Sequence, residues 1–252
     1  MQGWVPENAA ILSEFGTLQL EFEYLSRVTG DRTYADAVQQ LAKFVTDATP
    51  DDGLFPNYLN PKTGRWVSKD VSLGALGDSF YEYLLKVWVY RGGQKDAASE
   101  QRRGSSNSKE QQAEQQAEQQ WRQRQRDGMP KPNRRHFDDA MAAVQEKLVR
   151  TSPLGHMYIT ELNNGKPTQK MGHLACFMGG LYVLGVEGAP SEATAAQYLD
   201  NGVKLAATCH AAYQASPTKL GPEEMIFKSG SKELSSSASQ NRYRIHPASA
   251  SP

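Results

Sequence analysis

The chain has 252 residues, 38% of them hydrophobic, and its 28 basic side chains balance its 28 acidic ones. Zero formal charge argues against nucleic acid or an anionic membrane held by bulk electrostatics, and no run of about 18 apolar residues would span a bilayer. Two cysteines are too few for a disulfide framework or a cysteine-rich zinc site. The length suits one or two domains with a buried core. Residues 1–7 lack a basic n-region and an apolar h-region, so no signal peptide is expected there. No Asn-X-Ser/Thr acceptor occurs.

In chain order, Ile11, Phe15, Leu18, Phe22 and Leu25 predict one amphipathic helix, stopped near Thr29-Gly30-Asp31. Tyr34, Val38, Leu41 and Val45 predict a second, and the short break makes the two an αα-hairpin. Glu14, Glu21 and Glu23 on the first helix would ordinarily be a solvated face. Pro50-Asp51-Asp52-Gly53 is a turn. Short strands are expected over 54–58 and 65–67, joined by Asn60-Pro61-Lys62-Thr63-Gly64. From Gln94 to Arg135 the composition is almost wholly polar, with only Trp121 and Met129 as large apolar residues. Such a stretch cannot offset its ordering entropy by burial, so it is expected to be a disordered or loosely helical insertion that can be deleted. Its Arg122, Arg124 and Arg126 share the stretch with Glu110, Glu114 and Glu118 and read as a solvated spacer. Phe137, Met141, Val144 and Leu148 resume a helical period. A strand follows over 157–162, entering a hairpin at Asn163-Asn164-Gly165. Further helices are expected through Leu181 and Leu184, and over 191–213 with Tyr198, Leu205 and Cys209 towards a core. The pattern decays after Ser216. The expected organisation is therefore 1–93, the insertion 94–135, 136–228, and a poorly ordered tail 229–252.

The stretch on which the rest turns is 73–88. Leu76, Phe80, Tyr83, Leu84, Val87 and Trp88 form an apolar stripe at helical spacing. Asp78 and Glu82 share another face, four residues apart. Ser79 and Glu82 have the form of a capping box, and Asp78 can itself be an N-cap, so both carboxylates can serve open backbone donors alone. The string Gly77-Asp78-Ser79-Phe80-Tyr81-Glu82-Tyr83-Leu84-Leu85-Lys86, however, resembles a signature of the class I α-1,2-mannosidases, glycoside hydrolase family 47. Residues 13–22, containing Glu14, resemble a second family motif. Met171-Gly172-His173-Leu174-Ala175-Cys176-Phe177 resemble a third.

The coarse repeat of helix pair, short hairpin and helix suits an array of αα-hairpins, open or closed. The resemblance implies the closed form: an all-α chain forming part of an (αα)7 barrel, with short β-hairpins at one end. It also implies inverting hydrolysis of α-1,2-linked mannose on high-mannose N-glycans of glycoproteins. Such chemistry needs one carboxylic acid for the leaving oxygen and a second carboxylate for water, about 6.5–9.5 Å apart. Asp78 matches a family carboxylate often cast as the acid, and Glu14, Glu82 and His173 are expected to line the sugar cavity. A lone histidine of this kind is otherwise more often a cap or a packed core residue. The resemblance further implies a Cys176–Cys209 disulfide, where two free buried cysteines are the plain alternative, and with it an endoplasmic reticulum or Golgi lumen. Ca2+ is implied as the family's ion, a hard cation with oxygen ligands, but its direct ligand has no match here.

The resemblance runs from about Ala10 to Tyr243. An acidic motif expected before Met1 has no match, and His246-Pro247-Ala248 stand where an Arg-Pro-Glu motif carrying the base is expected. The expectation is a mannosidase-family chain with little activity alone. The alternatives are a catalytically inactive mannose-glycan-binding protein or a helical scaffold.

Overall fold

The structure, a computed structural model, describes residues 5–92 and 134–227. Most of the expected insertion, with Trp121 and Met129, lies outside the described residues, as do the tail and His246-Pro247-Ala248. The described chain is mostly helical with short strands.

The first half opens with β1 (Ala10–Ile11) and α1 (Leu12–Phe15), then α2 (Gln19–Thr29) and α3 (Thr33–Asp47). The single helix expected from Ile11 to Leu25 is thus broken in two. Phe80 packs on Gly16 so closely that an added Cβ would lie 2.5 Å from its ring, and the chain turns there instead of running on. Leu25, expected in the apolar stripe, is exposed. Gly30, at φ +73, ends α2 by returning its N–H to Ser26 O at 3.0 Å. Ser26 Oγ accepts the Ala35 N–H at 2.8 Å, which pins α2 to α3. Val38 and Val45 are buried as their spacing predicts.

β2 (Tyr58–Asn60) and β3 (Arg65–Trp66) complete an antiparallel sheet of order β1-β2-β3, with Ala10 opposite Leu59 and Leu59 opposite Trp66. α4 (Asp78–Tyr90) follows. Its buried side chains are Phe80, Tyr81, Leu85 and Trp88, whereas Tyr83, Leu84 and Val87 are half-buried. The stripe read from spacing was therefore rotated, because α4 is covered on more than one side. Leu76 is not on the helix at all. It sits before it at φ +68, a left-handed conformation that is uncommon and strained for leucine.

The second half begins with α5 (Arg134–Lys147). Arg134, the penultimate residue of the polar stretch, packs its guanidinium over Trp88 at 4.9 Å and pairs with Asp138 at 3.1 Å. β4 (Val149–Thr151) and β5 (Met157–Ile159) pair antiparallel. β6 (Leu162–Asn163) and β7 (Lys166–Pro167) form the hairpin expected at Asn164-Gly165, both in the left-handed region. β8 (Lys170–Gly172) runs into a 3-10 helix over His173–Phe177 and then α6 (Met178–Gly185). α7 (Glu192–Ala215) is capped by Ser191, whose Oγ accepts the Thr194 N–H at 3.1 Å. β9 (Glu224–Ile226) returns to pair with β8.

One core joins the halves. Leu12, Phe55, Phe80 and Tyr81 from the first meet Phe137, Met141, Tyr182, Tyr198 and Leu205 from the second. Burial of side chains of this size contributes about 1.5–3 kcal/mol each. Cys176 and Cys209 are bonded, with Cα atoms 6.1 Å apart, tying the 3-10 helix to α7.

Candidate active site

The site is assembled around the loop that leads into α4. Ser72 Oγ accepts the N–H groups of Gly74 at 3.0 Å and Ala75 at 3.2 Å and donates to Glu161 Oε1 at 3.2 Å. Asn57 Oδ1 accepts the Ser72 N–H at 3.1 Å, and Asn57 itself is tied to Leu12 through its carbonyl at 2.9 Å. Gly77 must be glycine, since a Cβ there would lie 2.5 Å from the Ser72 carbonyl oxygen. The loop is thus held from three directions, and it delivers Asp78 as the first residue of α4.

Asp78 is not the N-cap; Gly77 is. No capping box forms either. Ser79 Oγ reaches Ser13 O at 3.5 Å, and Glu82 pairs with Lys86 at 2.6 Å. The Asp78 carboxyl is half-buried. Burial pushes it above the ordinary carboxylate range; the backbone N–H groups of Ser79 and Asp78 work against that, and the Glu82 charge reinforces it. Burial outweighs these opposing bonds because it removes water that would favour the charged form.

Glu14 is exposed on α1, beside Ser13. The Ser13 N–H donates to Leu76 O at 2.8 Å, and its carbonyl faces Ser79, so the segments carrying Glu14 and Asp78 adjoin. Glu82 lies one turn further along α4. Tyr83, next to it, donates to Glu21 Oε1 at 2.6 Å, and burial followed by Glu21 pushes its phenol up to about 12.

His173 comes to the same region through β8. An added Cβ at Gly74 would lie 3.0 Å from Gly172 Cα, so the loop before Asp78 and the strand before His173 are in backbone contact. Glu161 spans that crossing, held by Ser72 and by Lys170 at 3.1 Å, and Lys170 also pairs with Glu224 at 2.8 Å. The Glu224 bond, ahead of opposing desolvation, raises the Lys170 ammonium. His173 Nε2 lies 2.5 Å from Tyr213 Oη.

Ser72, Glu161, Lys170 and Tyr213 were not singled out by sequence reasoning. The fold alone brings them near Asp78 and Glu14, from which Tyr213 is 135 and 199 positions away in sequence, and no local spacing marks them; the nearest hint was Gly74 ahead of one motif and Gly172 within another. Among the described residues no three of His, Cys, Asp and Glu converge to hold a metal ion. A cavity of about 130 Å³, open to solvent, is lined by Phe55, Phe80, Leu84, Val87 and Gln39 among others. Glu14, Asp78 and His173 do not line it; its wall is largely apolar, with Tyr83, Arg91 and His136 among its polar residues.

Comparison with known proteins gives a consistent picture. The family model for glycosyl hydrolase family 47 matches residues 2–251. The chain is 40% identical over 243 residues to mannosyl-oligosaccharide alpha-1,2-mannosidase IA of Drosophila melanogaster, covering 96% of this chain and 31% of that protein. It is 37% identical over 245 residues to mannosyl-oligosaccharide 1,2-alpha-mannosidase IB of Mus musculus, covering 97% and 33%. The chain thus spans about a third of the length of the curated relatives it matches. Among solved structures, the alpha-1,2-mannosidase from Trichoderma reesei superposes with a TM-score of 0.64 at 21% identity, over 88% of this chain and 39% of that one, which supports a shared fold. With the family model matching residues 2–251, the chain belongs to glycosyl hydrolase family 47.

Proposed function

We propose that this chain forms part of an inverting α-1,2-mannosidase that trims high-mannose N-glycans, built on a portion of an (αα)7 barrel. The observation that carries the reading is Asp78: a half-buried carboxyl, raised by desolvation, at the first turn of α4 beside the segment bearing Glu14. A carboxylic acid kept protonated to higher pH is what a leaving glycosidic oxygen requires. In this reading Asp78 delivers the proton, directly or through water, while Glu14, Glu82 and His173 line the sugar. Glu82 is already engaged by Lys86, which suits an orienting role better than a reacting one.

Ca2+ is the ion the family implies, and the described residues do not offer it a cluster of ligands. No step is therefore routed through it. The Cys176–Cys209 bond fits an oxidising compartment, and we assign the chain to the lumen of the endoplasmic reticulum or Golgi. Among the described residues no helix is long and apolar enough to cross a membrane.

A second reading, glycan binding without turnover, draws on His246-Pro247-Ala248, which carry no carboxylate where the family's base is expected. Loss of a general base lowers rate by about 10²–10⁴-fold. The test is mannose release from a high-mannose glycan, with calcium added, by the 252-residue chain and its Asp78→Asn variant. Release slowed by about that factor relative to a relative with both carboxylates, and lost in Asp78→Asn, is the expected result. Glycan retention on an array with no release at all would favour the binding reading. Neither release nor retention would remove both.

A further inference from the structure

Tyr213, on α7, lies 40 residues from His173 and meets its Nε2 at 2.5 Å, with the two rings tilted and their centroids 5.4 Å apart. The pair is partly buried and packed against Gly221. A Cβ built on Gly221 would lie 2.8 Å from His173 Nε2 and 3.0 Å from Tyr213 Cζ, so the backbone of Gly221 covers this hydrogen bond. The His173 N–H donates to Glu223 O at 2.8 Å, which holds the covering segment in place. On the other edge of the ring, Nδ1 has no protein hydrogen-bond partner among the described residues.

In a neutral imidazole one nitrogen donates and the other accepts, and the bond made by one fixes the role of the other. Two considerations settle the direction here. A phenol is a good donor and the imidazole lone pair, whose conjugate acid has a pKa of about 6.5, is a far better acceptor than a phenol oxygen. Moreover, were Nε2–H to donate, the phenol proton would have no other protein acceptor among the described residues. The Tyr213 O–H therefore donates to Nε2, and the ring proton stays on Nδ1. Free imidazole side chains lean the other way, towards Nε2–H, so this is a state imposed by the fold.

We propose that Tyr213 is a positioning residue that locks His173 in the Nδ1–H tautomer, so that Nδ1 presents a hydrogen-bond donor to an oxygen of a bound mannoside. The sugar's part in this rests on the proposed function; the tautomer does not. Gly221 acts with Tyr213 by excluding water, which would otherwise compete for Nε2.

The experiment is a two-bond proton–nitrogen correlation of the imidazole rings in the full chain labelled with ¹⁵N-histidine, at about pH 8, where an ordinary imidazole is neutral. His173→Gln assigns the resonances. The expected pattern is Nδ1–H for His173 in the unaltered chain and a switch towards Nε2–H in Tyr213→Phe. Gly221→Ala keeps both partners but forces them apart, and is expected to switch in the same direction. Nε2–H in the unaltered chain overturns the proposal without recourse to any variant, and so does an Nδ1–H pattern that persists in both variants. Titration with α-1,2-mannobiose supplies the second readout: binding about tenfold weaker in Tyr213→Phe than in the unaltered chain, in line with one lost hydrogen bond. A tautomer that switches in a chain that binds no mannobiose sinks the sugar's part and the functional reading with it, while the assignment of Tyr213 stands.

Discussion

Asp78 shows how a single residue carries opposing demands. Its carboxyl is raised chiefly by burial, so the folded chain holds the proton more tightly than the unfolded one. A raised carboxyl contributes its stability below the ordinary aspartate range and loses it as pH climbs through the folded value. At neutral pH the ionised group is therefore a burden on the fold. Asp78→Asn keeps the size and the backbone hydrogen bonds without the charge. It is expected to raise the melting temperature at pH 7, to match the unaltered chain near pH 3, and to lose mannose release. Thermal melts at the two pH values check the sign, and a lower melting temperature at pH 7 would contradict it. Stability gained where function is lost is the usual mark of a strained or desolvated reacting group, and the left-handed Leu76 two residues earlier is a second such mark.

At the scale of elements, each half is fastened by a specific tie of its own. Glu23, wholly buried on α2, is matched by Arg91 just past the end of α4. The pair need not add stability over apolar residues of the same size, but removing one partner leaves a buried charge alone. Arg91→Ala is expected to destabilise the chain by about 3–5 kcal/mol, whereas Glu23→Gln with Arg91→Met together should cost much less. Urea midpoints of the two variants decide it. The Cys176–Cys209 bond closes a loop of 33 residues, for which the chain-entropy account gives about 3–4 kcal/mol. Reduction with dithiothreitol should lower the melting temperature, and Cys176→Ala with Cys209→Ala should reproduce the shift and no longer respond to the reductant.

For the whole molecule, several helices carry exposed large apolar side chains. Val183, Leu184, Leu199 and Val203 are 46–64% exposed on α6 and α7, and Tyr24, Val28 and Val89 are 54–58% exposed on α2 and α4. Faces of this kind favour association when nothing covers them. Leu184→Lys combined with Val203→Glu is expected to reduce light scattering of the purified chain at a given concentration without lowering its melting temperature. An unchanged scattering curve would mean that association proceeds through another surface.

Much of the local structure was legible without coordinates. The spacing of Phe137, Met141 and Val144, the helix start at Ser191 and the turn at Asn164-Gly165 depend on contacts within a few residues, and each stands where the pattern puts it. Family membership was legible for the same reason: the three motifs are contiguous strings. Other features needed the tertiary structure. The break at Gly16 is set by Phe80, 64 positions away, and the buried face of α4 by neighbours on both sides. The crossing of Gly74 with Gly172, Glu161 bridging it, and Tyr213 on His173 unite segments whose separation no helical or strand period encodes. The sequence by itself determined most of the helices and which carboxylates and histidine deserved suspicion. Only the packed chain decided how far Asp78 is dehydrated and which nitrogen of His173 is engaged, because desolvation and hydrogen-bond partnership belong to the surroundings and not to the residue.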